Sequence, residues 1–172
     1  MALRLCIAPE REEDADQVER LMDLGFGKDR LKRAAYTLRQ PSHAWEKRMS
    51  FVALDQQGQT RGAIRFWAVR LDGDLHHVLL GPLAMDPRER GKGIGTALIS
   101  RGLEAARARG WQLCFVIGAP EIYRRFGFCN AHHLGFRMPV PEDSRKFQVL
   151  ELSYGALSKS YGSGTLKPRG VA

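Results

Sequence analysis

Residues 84–98, AMDPRERGKGIGTAL, determine how the rest of this chain is interpreted. They run from the end of an apolar strand through a glycine-rich turn into a helix. Three glycines alternate in the turn and allow positive φ and close approach to a ligand: Gly91, Gly93 and Gly95. Three basic residues accompany them: Arg88, Arg90 and Lys92. Because the first amides of a helix lack intrahelical partners and the helix dipole is positive there, the turn is predicted to hold an anion, most naturally a pyrophosphate.

Two common nucleotide motifs do not fit this turn. A P-loop requires G-x-x-x-x-G-K-[ST], whereas here Thr96 follows Gly95 directly and Lys92 comes too early. A dinucleotide fingerprint requires G-x-G-x-x-G and an acid near the end of the next strand. The spacing here is G-x-G-x-G, and the next strand ends in VIGAP without an acid. A turn that serves only to join strand and helix is the structural alternative.

A third interpretation is coenzyme A binding, which rests on a family resemblance. The pattern Arg90-x-x-Gly93-x-Gly95 resembles the [RQ]-x-x-G-x-[GA] signature of the GNAT N-acetyltransferase superfamily. The preceding VLLGPLAMDP resembles the fourth strand of that family, and YRRFGF at 123–128 resembles its Y-x-x-x-G-F segment. The likeness covers roughly residues 3–153.

The order of elements predicted from periodicity is compatible with that resemblance. Strands are expected at 3–8, 50–54, 61–71, 75–85, 112–117 and 147–153, and helices at 12–24, 29–39, 94–109 and 120–126. The order lacks a regular βαβ alternation. The resemblance implies a mixed α/β (α+β) fold with a mostly antiparallel sheet, splayed fourth and fifth strands and flanking helices. We expect one domain over 1–157 and a mobile tail over 158–172.

The resemblance also implies acetyl-CoA as co-substrate and assigns residues to it. The pantetheine arm would enter the splay and meet the backbones of Leu83 and Met85, and Gly81-Pro82 would mark a bulge or strand edge. The pyrophosphate would lie on residues 90–96. The cofactor-binding residues expected there are Arg90, Gly91, Lys92, Gly93, Gly95 and Thr96.

The implied reaction is direct transfer of the acetyl group to an amine. A lysine-like amine with a pKa near 10.4 must lose its proton first, which costs about 4.6 kcal/mol at pH 7. Tyr123 matches the family tyrosine that protonates the leaving thiolate, although it could merely pack against the cofactor. The general base stays open among His76, His77, Glu121 and water. Since neighbouring strand residues face opposite sides, at most one of the two histidines can face the cleft.

Composition excludes several other classes of protein. The 172 residues carry a net charge of +8, with seven acids concentrated in residues 10–23 and a net +12 over residues 24–172. Such a surface attracts anions, but the basic residues are spread over helices without an aromatic stacking motif, so we expect no nucleic acid.

The three cysteines form no C-x-x-C pair and are predicted to be small buried hydrophobes. His132-His133 lacks companion ligands, so no metal is expected. Without a long apolar run or a signal peptide, the protein is predicted to be cytoplasmic, with no membrane partner.

The acceptor is not identified by the sequence beyond a small-molecule or peptide amine. The acceptor-facing region of the resembled fold is the segment 25–39, and the acidic first helix could favour a cationic amine or simply be solvated. Trp45, Phe66 and Trp67 are candidates for the pocket lining, with core positions as the alternative. A homodimer is left open. The alternative function is a non-catalytic acyl-CoA-binding module or sensor on the same fold.

Overall fold

A nine-stranded sheet forms the centre of the protein in the computed structural model, which describes residues 4–39, 49–160 and 164–168. The strands are β1 (Cys6–Pro9), β2 (Phe51–Leu54), β3 (Thr60–Leu71), β4 (Asp74–Met85), β5 (Leu113–Ile117), β6 (Cys129–Asn130), β7 (Phe136–Arg137), β8 (Phe147–Glu151) and β9 (Gly164–Pro168). The main path is β1-β2-β3-β4-β5-β8-β6, along which only β4 and β5 pair in parallel. The short β7 also runs parallel to β9, off this path. The mixed, mostly antiparallel sheet confirms the predicted fold class.

The described residues form four α-helices around the sheet: α1 (Ala15–Phe26), α2 (Ile94–Ala108), α3 (Pro120–Tyr123) and α4 (Ala156–Ser160). Helix α1 buries Val18, Leu21 and Met22, which share one face at helical spacing. Helix α2 packs on β3, where a Cβ at Gly102 would lie only 2.3 Å from the ring of Phe66. Gly102 is therefore a close-packing glycine, as its position on the inner face predicts. Within the part of the chain that is described, no helix is long and apolar enough to cross a membrane.

The helix predicted over 29–39 is wrong. The chain forms two 3-10 helices there, Lys28–Lys32 and Ala34–Leu38, separated by an extended Arg33. Arg30 is buried because its guanidinium is held by Asp23 and Tyr36, while Leu31, expected to face inward, is 66% exposed. These tertiary polar contacts override the apolar stripe that suggested a continuous helix.

Regular secondary structure occurs in the described part of the tail predicted over 158–172, whose mobility stays a prediction. Residues 156–160 form α4, and β9 pairs with the end of β3, where Leu71 faces a fully buried Leu166. The reason is that β3 is longer than β2, so its last residues have an edge that β2 leaves unpaired. Strand β9 occupies that edge. The domain boundary at residue 157 stays a prediction.

Candidate active site

A β-bulge in β4 defines one end of the candidate site. Ile64 of β3 pairs with Leu83, but Phe66 pairs with Leu80, so two residues of β4 face one residue of β3. The two residues of β4 that lie opposite the single Arg65 are Gly81 and Pro82, where the sequence predicted a bulge or strand edge. Gly81 has φ +114°, in the region that favours glycine.

The gap between β4 and β5 begins at this bulge. The parallel pairing of the two strands ends at Leu80 and Val116, and no described strand pairs with the remainder of β4 on the β5 side. This is the predicted splay. It arises because β5 ends at Ile117, whereas β4 continues for five residues beyond Leu80.

The hydrogen-bonding alternation of the β3–β4 ladder shows which backbone groups face the gap. The amide of Asp86 donates to the carbonyl of Arg61 at 2.8 Å, so the next hydrogen-bonded residue of β4 is Ala84. The amides and carbonyls of Leu83 and Met85 therefore point away from β3, towards the unpaired side. These are the two residues that the resemblance assigned to the pantetheine arm.

The glycine-rich turn continues directly from this edge into α2. Gly93 is the N-cap at φ +81°, and the first helical hydrogen bond runs from the amide of Ala97 to the carbonyl of Gly93 at 3.0 Å. The amides of residues 94–96 thus precede the helical ladder and are available to an anion. A Cβ at Gly95 would lie 2.7 Å from the side-chain methyl of Met85, so the turn and the open strand edge are in direct contact. Thr96 is exposed in the same helical turn.

Two of the three basic side chains of the turn are paired with acids, which corrects the predicted cluster of free cations. The carboxylate of Asp86 accepts hydrogen bonds from the backbone amide and the guanidinium of Arg88. The distance from Arg88 Nη2 to Asp86 Oδ2 is 2.7 Å. These hydrogen bonds from Arg88, with a further one from Arg61, lower the pKa of Asp86 strongly. Lys92 Nζ lies 2.8 Å from Glu89 Oε2. Within residues 4–39, 49–160 and 164–168, Arg90 alone of the three has no carboxylate within 4 Å.

Tyr123 lies at the last residue of α3, with its ring buried against β5. A Cβ at Gly118 would lie 2.3 Å from that ring, and Phe128 contacts it edge to face at 5.6 Å. The pKa of Tyr123 is raised to about 12, mainly by burial and to a smaller extent by the neighbouring Cys114. Arg39 acts in the opposite direction. The phenol therefore keeps its proton throughout the neutral range.

The structure removes both histidines from the list of candidate bases. His76 and His77 lie in the part of β4 that is paired with β5, four and five residues before the bulge. His76 is exposed and bonds Asp74 at 2.7 Å. His77 is fully buried against Phe115 on the other face of the sheet, and burial lowers its pKa.

The last carboxylate candidate does not face the cleft either. Glu121 is exposed on α3, two residues from the inward-facing Tyr123. Arg124 and Arg125, which follow it, are also exposed. Water is the base that remains from the sequence candidates.

Several other sequence predictions are resolved by burial. Phe66 is core beneath Gly102, Trp67 is half-buried, and Trp45 lies outside the described residues. Cys114 is buried as expected, but Cys6 and Cys129 are exposed. Among described residues, no group of three or more potential metal ligands is found.

Sequence reasoning missed a buried ionic chain beside the bulge. Arg65, opposite the bulge, binds Glu10 and Glu19, and Glu19 also binds Arg30. Burial raises the pKa of Glu19, but the hydrogen bonds from both arginines outweigh it and the net shift is downward. Arg30 donates to the hydroxyl of Tyr36 at 2.7 Å. Much of the acidity of the first helix is therefore neutralised within the fold, and no local pattern in the sequence signals these contacts over 46 to 55 residues.

This combination of splayed strands, open backbone edge and helix N-terminus agrees with the GNAT fold that the sequence resemblance implied, and comparison with known proteins supports it. Residues 46–130 match the family model described as an acetyltransferase (GNAT) domain. A curated member, the uncharacterized N-acetyltransferase YhbS of Escherichia coli K12, is 32% identical over 146 residues, covering 84% of this chain and 86% of the relative. The chain belongs to the GNAT family.

Solved structures extend the similarity to almost the whole chain. The crystal structure of E. coli YhbS in complex with CoA has a TM-score of 0.84 at 31% identity, covering 98% of this chain and 92% of that one. A GNAT acetyltransferase from Brucella melitensis in complex with acetyl-CoA has a TM-score of 0.65 at 26% identity, covering 87% and 89%.

Proposed function

We propose that this protein transfers the acetyl group of acetyl-CoA directly to the amine of a small-molecule or peptide acceptor, with both substrates bound together. The observation that carries the proposal is the continuous polar edge that begins at Leu83 and Met85 and ends at the bare amides of residues 94–96. The CoA and acetyl-CoA complexes of the similar structures support it.

The chain's own groups suit the two ends of the cofactor. The backbone amides and carbonyls of Leu83 and Met85 would pair with the amides of the pantetheine arm, as an added strand does. The pyrophosphate would lie on the turn from Arg90 to Thr96, where backbone amides, the helix dipole and the guanidinium of Arg90 act together. The glycines at 91, 93 and 95 keep side chains out of that contact.

Tyr123 would serve chiefly as a hydrogen-bond donor to the departing sulfur. In the reaction the amine nitrogen attacks the thioester carbonyl carbon, and the C–S bond then breaks to release the thiolate. With the pKa of Tyr123 at about 12 and that of a thiol near 8.5, complete proton transfer to a free thiolate would cost about 5 kcal/mol. A hydrogen bond to the developing negative charge avoids that cost. The amine nitrogen loses a second proton after it has attacked, and this proton can convert the thiolate to the thiol.

Removal of the amine's proton would fall to water. The candidate histidines lie in the paired part of the sheet, and Glu121 is exposed. Water in the gap can carry the proton to bulk solvent, which suits an acceptor whose amine pKa lies below that of lysine.

None of the candidate bases His76, His77 and Glu121 is held in the gap. This favours one alternative function, a non-catalytic acyl-CoA-binding module. Thiol release separates the two functions. The purified protein is incubated with acetyl-CoA and a panel of primary amines, and free CoA is measured with a thiol reagent. We expect saturable, amine-dependent release; tight acetyl-CoA binding without release above background for any amine would support the module instead.

A further inference from the structure

Arg39 lies at the start of the gap between β4 and β5. It follows the second 3-10 helix, and its Nη2 would be 2.7 Å from a Cβ at Gly81. The guanidinium therefore rests against the bulge itself. It also interacts electrostatically with Tyr123, so both side chains belong to the same end of the gap.

The guanidinium is buried without an acid. Arg39 is 9% exposed, and its Nε has no hydrogen-bond partner among the described residues. Its guanidinium lies over the ring of Tyr36, whose centroid is 4.8 Å from Cζ. No carboxylate lies within 4 Å of it among the described residues. Burial lowers the pKa of Arg39 to about 10, so it remains a cation at neutral pH.

The other two buried arginines nearby, unlike Arg39, are paired with carboxylates. Arg65 is bound by Glu10 and Glu19, and Arg30 by Glu19 and Asp23. The fold thus supplies acids to two inward-facing arginines, whereas Arg39, which lies against the bulge, has none among the described residues. A buried cation is costly unless an anion joins it, which points to an anion from outside the chain.

That anion is not a phosphate of the cofactor. Gly81 and Met85 are four residues apart, about 13 Å along an extended strand, and the phosphate-binding turn lies beyond Met85. The pantetheine arm that would span this distance is uncharged. Arg39 therefore faces the acetyl end of the cofactor, where the acceptor must enter.

We propose that Arg39 binds a carboxylate of the acceptor, so that the acceptor is a free amino acid or a similarly small amine with a carboxylate a few bonds from its nitrogen. The inference rests on the proposed function and deepens it by naming the substrate class. The planar guanidinium fork matches a carboxylate, and a buried pair of this kind fixes the orientation of the amine.

The test compares matched acceptors with the wild-type protein. Thiol release from acetyl-CoA is measured with a set of amino acids, their carboxamides, their decarboxylated amines and their phosphonate analogues. We expect kcat/KM for at least one amino acid to exceed that of its carboxamide by 30-fold or more, the scale for leaving a buried charge unpaired. The same acid without its amine should inhibit competitively against the acceptor.

Variants then connect the preference to Arg39. Arg39→Gln should reduce the preference for acid over carboxamide to below fivefold and leave the Kd for CoA within threefold of wild type. Arg39→Lys should keep part of the preference. Arg109→Gln, at the exposed C-cap of α2, should keep all of it.

The possible failures are distinguishable. Equal rates with acids, carboxamides and simple amines would overturn this inference and leave the proposed acetyl transfer intact. A preference for phosphonates over carboxylates would overturn the substrate class. If free CoA were released at the same rate when the amine is omitted, both the proposed function and this inference would be overturned. Because these outcomes use the wild-type protein, they hold even where an Arg39 variant does not fold.

Discussion

Replacing Gly93 by aspartate should weaken CoA binding through charge alone. Gly93 caps α2 at φ +81°, and apart from Gly93 and its two chain neighbours, no atom of the described residues lies within 4 Å of a Cβ built there. A side chain therefore fits without a clash. The backbone penalty is about 1–2 kcal/mol for an ordinary residue in this region, with Asn and Asp the best tolerated. Gly93→Asn has nearly the same shape and conformational preference, so it is the matched control.

The difference between the two variants isolates the electrostatic contribution. A carboxylate about 5 Å from a phosphate charge is repelled by about 0.8 kcal/mol in a water-like environment and about 3.3 kcal/mol at an effective dielectric constant of 20. For the two pyrophosphate charges, even the lower figure gives a ratio of dissociation constants of about 15-fold. The ratio should shrink as salt is raised to 1 M, where the Debye length is about 3 Å.

Isothermal titration of CoA into each folded variant measures this ratio. Circular dichroism and melting curves first establish that both variants are folded to the same extent. Equal dissociation constants for Gly93→Asp and Gly93→Asn at low salt would refute the placement of the pyrophosphate on this turn.

Three further predictions concern the core, the acid and the turn. Gly102→Ala places a methyl group 2.3 Å from Phe66 and should destabilise the fold by about 1–3 kcal/mol in a denaturant titration. Ser100→Ala, at an exposed position on the same helix, should not destabilise it. Equal stability of the two variants would refute the close packing. Tyr123→Phe should lower kcat more than it weakens CoA binding. Since the pKa of Tyr123 is raised from 10.0 to about 12, native stability should fall as pH rises from 10 to 12, and this alkaline loss should be smaller in Tyr123→Phe; an unaltered kcat and pH profile would remove both roles. Hydrogen bonds from Arg88 and Arg61 hold the pKa of Asp86 well below its usual range, so they stabilise the fold fully above about pH 4, and this stabilisation declines as pH falls further. Asp86→Asn should therefore lower the melting temperature more at pH 7 than near pH 2; a constant difference between these pH values would contradict the ion pairing.

The family resemblance predicted the fold class, and the strand, turn and helix proposed to hold the cofactor were predictable because their determinants are local. The glycine spacing, the preceding apolar strand and the amides of a helix start all lie within fifteen residues. A backbone that must take positive φ leaves its signature in glycine, and Gly81-Pro82 likewise marked the bulge before any strand partner was known.

Contacts between distant segments decided the rest. Arg30 was drawn inward by Asp23 and Tyr36, which broke the expected helix, and β9 joined the sheet because β3 offered it an unpaired edge. The burial of His77 and the position of Arg39 beside Gly81 depend on which segments the sheet brings together. The sequence by itself thus determined the strand, turn and helix that suit a diphosphate, since their conformations follow from adjacent residues. Only the tertiary structure decided which charges meet at the other end of the gap, because pairing and burial depend on residues far apart in the chain.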